Sequence, residues 1–194
     1  MTGRKVIKAY DDPLSLIWIA TAARLGYQLE RSDEVYASFD GKHTLTISSP
    51  AHFDADDNLG QMIFHELCHA LVAGPLGRQR SDWGLENIDN RDVVQEHAAN
   101  RLQAALATPY GLRRFFATTT EVRDYYDALP RDPLADDSDP AIALAKHAAH
   151  DAAQEPWASA LQDALTATRE LARTVRRFAS PESLWSAADE PESE

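Results

Sequence analysis

His65, Glu66 and His69 form the pattern His-Glu-x-x-His within a stretch whose spacing predicts a helix. Residues four apart lie on one helical face, so the two imidazoles can bind one metal ion. Glu66 lies about 100° further round the helix, where its carboxylate is suited to accept a proton from a metal-activated water. The flanking side chains are apolar nearly all round, which predicts burial. Burying three ionisable groups is costly unless they are paired or bind a metal, and the alternative to a metal is a pair of hydrogen-bonded histidines in a polar seam of the core. The pattern therefore predicts a metal site with Glu66 as the catalytic base.

A catalytic zinc ion takes three protein ligands and keeps one position open. Glu96 is the candidate third ligand, because it lies on a second predicted amphipathic helix downstream of the motif. Asn100 follows one turn later and is placed to hydrogen-bond a ligand group. The neighbouring His97 is the main rival ligand, since imidazole suits zinc equally well. Glu86 and Asp92 are weaker rivals.

Other side chains have candidate roles near such a site. Trp83 is a candidate for lining a substrate cleft, and Tyr110 for donating a hydrogen bond to a developing oxyanion. Tyr125 and Tyr126 are alternatives for the second role. Cys68 lies inside the motif on an apolar arc, which favours a buried, inert thiol over a ligand or nucleophile.

The rest of the chain shows both helical and strand-like patterns, which predict an α+β fold. Three short strands, with a turn at Asp40-Gly41, would form a small antiparallel sheet packed on the ligand-bearing helices. The strands are expected over residues 27–31, 35–39 and 44–48. Helices are expected over residues 13–25, 59–73, 91–107, 120–129, 140–153 and 157–178.

Composition divides the chain into four expected segments. Residues 1–129 would form the metal-binding domain. Residues 130–140 are rich in proline and acids, which predicts a linker-like segment. Residues 141–180 would form a helical C-terminal extension that offers a surface to a protein partner. Residues 181–194 would be a disordered acidic tail.

The charge balance restricts the classes of partner. The 194 residues include 19 basic and 31 acidic side chains, a formal net charge of −12. This balance argues against binding to nucleic acid or to an anionic membrane. The single cysteine cannot form an intramolecular disulfide. The N-terminus does not resemble a signal sequence, and no apolar run approaches the ~20 residues of a membrane helix, so we expect a soluble, cytoplasmic protein. The expected partner is a protein or peptide substrate.

Residues 64–109 resemble the ImmA/IrrE-type metallopeptidases, which are zincin-like proteins. The resemblance rests on His65-Glu66-x-x-His69 and on Glu96-x-x-Ala99-Asn100-x-Leu102-x-Ala104-x-Leu106-x-x-Pro109. It implies a zincin-like fold, a zinc ion held by the two histidines and Glu96, and Glu66 as the base.

The same region also looks like the elongation factor P hydroxylase family, whose metal-dependent members hydroxylate a modified lysine of a translation factor. The matching residues are Ala73-Gly74, Arg78, Asp82-Trp83-Gly84, Arg91-Asp92 and Gln95-Glu96. Two histidines and one carboxylate are also the ligand set of non-haem iron oxygenases, so Fe²⁺ is the alternative metal.

Three functions remain open as hypotheses. The leading one is a zinc hydrolase, specifically a metallopeptidase, in which Glu66 passes the proton on to the leaving amine. An extended peptide would then align on the predicted strand over residues 44–48. The alternatives are an iron-dependent protein hydroxylase and a non-catalytic metal-binding interaction protein. A fourth protein ligand such as His97 would favour the last.

Overall fold

A computed structural model describes residues 7–86, 92–119, 122–136 and 138–188. The described residues form an α+β fold of six α-helices and a three-stranded sheet, as the sequence predicts. Their bounds in chain order are α1 Pro13–Arg24, β1 Gln28–Ser32, β2 Ala37–Phe39, β3 Thr44–Ser48, α2 Leu59–Gly77, α3 Val93–Ala107, α4 Arg123–Asp127, α5 Ala141–Ala152 and α6 Trp157–Arg176. The expected helix starts at residues 91 and 120 lie outside the described residues.

The sheet is mixed, and the prediction of an antiparallel sheet is wrong. β3 pairs in parallel with β1 and antiparallel with β2, so the strand order is β1-β3-β2. Leu45 and Ile47 of β3 are 1% and 0% exposed, whereas β1 is mostly exposed. The most apolar strand therefore takes the centre of the sheet, which leaves β2 as an edge.

α2 is the central helix and carries the His-Glu-x-x-His motif. It begins where the Asn58 side chain accepts a hydrogen bond of 2.8 Å from the backbone N–H of Gln61. Its regular part ends at Gly74, whose φ of 65° and ψ of −175° only glycine adopts readily. Beyond this break the Arg78 Nε donates to the Ala70 carbonyl at 2.9 Å and so caps the helix.

The C-terminal helices share one core with the rest of the fold, so residues 141–180 are not a separate extension. Leu161 and Leu165 of α6 belong to the same buried cluster as Trp18 of α1. The Trp18 Nε1–H also donates to the Thr168 hydroxyl at 3.1 Å. The apolar faces of α1 and α6 pack against each other, a contact that composition along the chain does not reveal.

The described part of residues 130–140 is anchored to α3 through Pro133 and Asp139 rather than forming a free linker. The buried Arg101 pairs with Asp139 at 3.1 Å and donates to the Pro133 carbonyl at 2.7 Å.

The described part of the C-terminal tail, up to residue 188, is also ordered. Leu184–Ala187 forms a 3₁₀ turn, and the Trp185 ring centroid lies 4.9 Å from that of Phe115. Residues 189–194 lie outside the described part. No described helix has the length and apolar character needed to cross a membrane.

Candidate metal centre

Three predicted ligands, His65, His69 and Glu96, converge on one point between α2 and α3. The Nε2 atoms of the two histidines are 3.0 Å apart. The carboxylate oxygens of Glu96 lie 3.3 Å from the His65 Nε2 and 3.1 Å from the His69 Nε2. A tetrahedral ion with bonds of about 2.0–2.1 Å holds its ligand atoms roughly 3.3 Å apart. The cluster can therefore hold a metal ion, and its nitrogen and oxygen donors suit zinc and iron alike.

The Gln103 side chain fixes which nitrogen of His65 faces the cluster. Its Nε2 donates to the Phe116 carbonyl, which turns its Oε1 towards the His65 Nδ1 at 2.8 Å. Because Oε1 can only accept, the His65 Nδ1 must carry the proton. The His65 Nε2 is then the atom free to bind a metal.

Asn100 holds the carboxylate of Glu96 in a similar way. Its Nδ2 donates at 2.9 Å to the Glu96 Oε1 and at 2.9 Å to the Glu96 backbone carbonyl. Its Oδ1 in turn accepts from the Thr118 hydroxyl at 2.8 Å. Asn100 is fully buried, so this chain of hydrogen bonds orients the carboxylate with little freedom.

The charges of the cluster are matched without a metal. Burial alone would lower the pKa of His65, but the Glu96 carboxylate, helped by Glu66 and Gln103, raises it to about 9. Burial opposes the ionisation of Glu96, yet His69 and His65 hold its pKa far below the usual range. A metal ion must therefore displace a proton from His65 when it binds.

Glu66 lies beside the cluster and is oriented by Trp83. The Trp83 Nε1–H donates to the Glu66 Oε2 at 2.7 Å, and Glu66 is 8% exposed. Glu66 lines the same cleft as the three ligands. A buried carboxylate with one oxygen held by an indole is arranged to act through its other oxygen.

The backbone around Trp83 is strained in a way that delivers the indole to this position. Asp82 and Trp83 have φ values of 49° and 60°, which side-chain-bearing residues seldom adopt. The Trp83 ring stacks on Phe39 of β2 with centroids 3.8 Å apart, and the Asp82 Oδ1 accepts from the Phe39 N–H at 2.8 Å. β2 therefore holds the strained segment in place, and strain of this kind is typical of functional sites.

The cluster lines a cleft of about 480 Å³. The edge strand β2, with Tyr36 before it, lines the same cleft together with Thr118 and Thr119. Tyr36 and Thr119 both donate a hydrogen bond to the carboxylate of Asp57, which links these two parts of the lining. Burial and this hydrogen bond both raise the pKa of Tyr36, so its hydroxyl stays protonated.

The rival ligands lie away from the cluster. The His97 ring stacks on Tyr125 with centroids 3.5 Å apart, on another side of α3 from Glu96. The carboxylate of Asp92 accepts from the backbone N–H of Glu86 at 2.6 Å, and neither residue joins the three-ligand group. A helical separation of about 100° between adjacent residues explains why Glu96 and His97 cannot both face the motif.

The predicted oxyanion donors do not lie at the cleft. The Tyr110 ring lies under the Arg169 guanidinium at 5.6 Å, so it faces α6. Tyr125 donates to Asp139 at 2.6 Å, and Tyr126 donates to the Arg113 carbonyl at 2.9 Å. None of these tyrosines is therefore placed to act at the cleft. The Tyr125 and Tyr126 hydroxyls are bonded to Asp139 and to the Arg113 carbonyl, contacts that sequence spacing does not indicate.

Two other candidates behave as expected. Trp83 does line the cleft, in addition to its bond with Glu66. Cys68 is fully buried, and burial raises the pKa of its thiol, which keeps it protonated. An inert packing role for this thiol follows.

Gln103 is the functional residue that the sequence analysis missed. Glu96, Asn100 and Gln103 are spaced by four and three residues, so they share one face of an otherwise alanine- and leucine-rich helix. Extending the Glu96–Asn100 pair by one more turn would have identified it.

The chain matches no known protein family, no characterised protein and no solved structure in the comparisons made with each.

Proposed function

We propose that this chain is a metal-dependent hydrolase that cleaves peptide bonds, with zinc held by His65, His69 and Glu96. One observation carries the proposal: Glu66, oriented by Trp83, lines the same open cleft as the cluster of His65, His69 and Glu96. A carboxylate in this position has a role in hydrolysis, which needs a base, and none in merely holding the metal.

The number of ligands favours catalysis over a structural role. Within the described ranges the cluster has three protein ligands, and the His97 side chain is occupied by its stack on Tyr125. Structural zinc sites are closed by four protein ligands, whereas catalytic sites keep one position for water or substrate.

Zinc in this site would supply Lewis acidity, which acidifies a bound water and polarises the scissile carbonyl. The Glu66 Oε2 is held by Trp83, so Oε1 accepts the proton and later delivers it to the leaving amine. Asn100 and Gln103 keep Glu96 and His65 in place while this proton moves.

An extended peptide fits the edge of β2 around Ala37, because the end of this edge is bridged through Asp40 to Ser81. The Tyr36 carbonyl accepts from β3 at 2.8 Å and the Asp40 N–H donates to the Thr44 carbonyl of β3 at 3.1 Å. The backbone N–H and carbonyl groups of the intervening residues Ala37 and Phe39 therefore point away from β3. The Phe39 N–H is already taken by Asp82, which leaves the Ala37 N–H and carbonyl for a substrate backbone. β3, the strand predicted from the sequence for this role, is the central strand and has a neighbour on both sides.

The test is cleavage of unfolded casein and of a mixed library of unstructured peptides by the zinc-loaded full chain. Glu66→Gln is expected to keep one equivalent of zinc and to lose about 10²–10⁴-fold in turnover. Glu30→Gln on the exposed β1 is the matched control and should cleave at the wild-type rate. A zinc-loaded wild type that cleaves neither substrate, or a fully active Glu66→Gln variant, would refute the proposal.

Iron-dependent hydroxylation is the second candidate, favoured by the ligand set of two histidines and one carboxylate. In this case the purified protein would hold iron and consume oxygen in the presence of its substrate. Glu66→Gln would then leave turnover within a few-fold of wild type, because that reaction does not require a base at this position.

A further inference from the structure

A second pocket adjoins the metal-binding cleft. It has a volume of about 310 Å³ and shares His69, Trp83 and Leu85 with the cleft as common walls. A substrate bound at the cluster would therefore have this pocket directly beside the bond that is cleaved. This inference rests on the proposed peptidase function and concerns which substrates that site selects.

The pocket is lined mainly by apolar side chains that the fold leaves partly open. Val72 and Leu76 come from α2, Leu144 comes from α5, and Leu85 completes the wall. Leu76 is 81% exposed and Leu144 is 37% exposed, although both lie next to a well-packed core. An apolar side chain placed here would remove apolar surface from water on both partners, which favours binding.

Arg80 adds a positive charge to the same pocket. Its guanidinium lies flat against Gly84, since a Cβ on that glycine would come within 2.9 Å of the Arg80 Cζ and Nη1. Gly84 has a φ of 85°, so glycine is required there for the turn as well as for this contact. A side chain at position 84 would therefore meet the guanidinium at this wall of the pocket.

In the part of the chain that the structure describes, no carboxylate forms an ion pair with Arg80. The guanidinium of Arg80 lines the pocket, so it is available to an acidic group of a ligand bound there. A guanidinium in this setting can bind a carboxylate of a ligand through two parallel hydrogen bonds.

We propose that this pocket binds a substrate segment in which a leucine-like side chain is accompanied by a carboxylate. The apolar walls take the side chain and Arg80 takes the carboxylate. The carboxylate has two possible sources with the same chemistry: the C-terminus of the substrate, or an Asp or Glu side chain next to the apolar residue. The first source makes the protein trim chain ends, and the second directs it to acidic internal sequences.

The test measures binding, so it does not depend on cleavage. The full chain is used as purified, with saturating acetohydroxamate present so that no probe carboxylate binds a metal ion. Two pairs of probes are titrated by NMR: N-acetyl-leucine against N-acetyl-leucinamide, and N-acetyl-Leu-Asp-amide against N-acetyl-Leu-Asn-amide. Shifts of the backbone amide signals of residues 72–74, 76–77 and 80–85 report binding in the pocket.

The acidic member of at least one pair is expected to bind about threefold or more tightly than its neutral partner. This preference should vanish in Arg80→Met and persist in Arg173→Met, a matched change on the exposed part of α6. The pair that shows the preference identifies the source of the carboxylate. Leu144→Ser should weaken all four probes by a similar factor, because it removes apolar wall and no charge.

Two results would overturn the inference: no shift of the pocket signals by any probe at millimolar concentration, or an acidic preference that survives Arg80→Met. Failure of the proposed function is recognised separately. Selective binding without any cleavage would leave the pocket assigned and the peptidase proposal refuted. Cleavage without selective binding would support the peptidase proposal and refute the assignment of the pocket.

Discussion

The indole Nε1–H of Trp83 donates a 2.7 Å hydrogen bond to the Oε2 of Glu66, and both side chains are less than one-tenth exposed. Trp83 reaches this position from a left-handed backbone conformation that is held by Phe39. The relationship explains why a tryptophan stands in an otherwise strained turn. It converts a flexible carboxylate into one with a single oxygen available for chemistry.

Trp83→Phe is expected to lower kcat by about tenfold or more with KM nearly unchanged, because a hydrogen bond to a charged group is lost while ring stacking on Phe39 survives. The measurement is steady-state kinetics on a cleaved peptide, with thermal unfolding as a check on folding. Trp185→Phe, which alters a ring packed on Phe115, is the control and should leave kcat unchanged. An unaltered kcat in Trp83→Phe would contradict the orienting role.

Gln103→Met is expected to weaken metal binding by about 10–100-fold, since the hydrogen bond that fixes the His65 ring is lost. It should also destabilise the fold by about 1–3 kcal/mol, because the Phe116 carbonyl loses its buried donor. Competition with a fluorescent chelator measures the first effect and urea unfolding the second. Gln154→Met, outside the site, should change neither, and a wild-type metal affinity in Gln103→Met would remove Gln103 from the account.

The metal-free protein is expected to lose stability as the pH rises from about 6.5 to about 9. The pKa of His65 is raised from 6.5 to about 9 by folding, so the folded chain binds the extra proton within this window. The stabilisation by the protonated His65 is complete below pH 6.5 and disappears above pH 9. Urea unfolding of the metal-free protein across this pH range measures the free energy of unfolding, and His65→Ala should remove its dependence on pH in this window.

Metal binding shows the opposite pH dependence, because the ion displaces the same proton. The affinity for zinc should rise between pH 6.5 and pH 8, with release of about one proton per ion. Calorimetry at pH 7.5 in two buffers of different ionisation enthalpy gives the number of protons released. Binding without proton release would show that His65 is neutral in the metal-free site.

A chain that ends at residue 136 is expected to lack cooperative unfolding. The truncation removes α5 and α6, which leaves Trp18 and the outer faces of α1 and α2 without cover. A graded version is Leu161→Ala, which should cost about 2–5 kcal/mol, against Leu16→Ala on the exposed face of α1, which should cost about 0.5 kcal/mol or less. A truncated chain that unfolds cooperatively would restore the view of residues 141–180 as an extension.

The sequence predicted the parts of this structure that depend on local pattern. α1 begins at Pro13 as expected, with Asp12 accepting from the Ser15 N–H at 2.8 Å, and α2 breaks at Gly74, directly after its expected end at residue 73. The pairing of Glu96 with Asn100 also follows from helical spacing alone.

The parts that failed depend on contacts between distant segments. The parallel pairing of β1 with β3 requires the later strand to insert beside the first, and strand order has no local signal. The buried Arg101 that anchors residues 130–140 looks like any surface arginine in sequence. The strained turn that brings Trp83 to Glu66 depends on Phe39, more than forty residues earlier in the chain.

The most direct test of the metal centre is the metal content of the full chain purified without added metal, measured by elemental analysis. We predict about one equivalent of zinc in wild type and in His97→Ala, and none in His69→Ala or Glu96→Ala. His97→Ala is the matched control, because it removes an imidazole from the same helix that carries Glu96. Equal metal content in all four proteins, or loss of the metal only in His97→Ala, would contradict the assignment of the site.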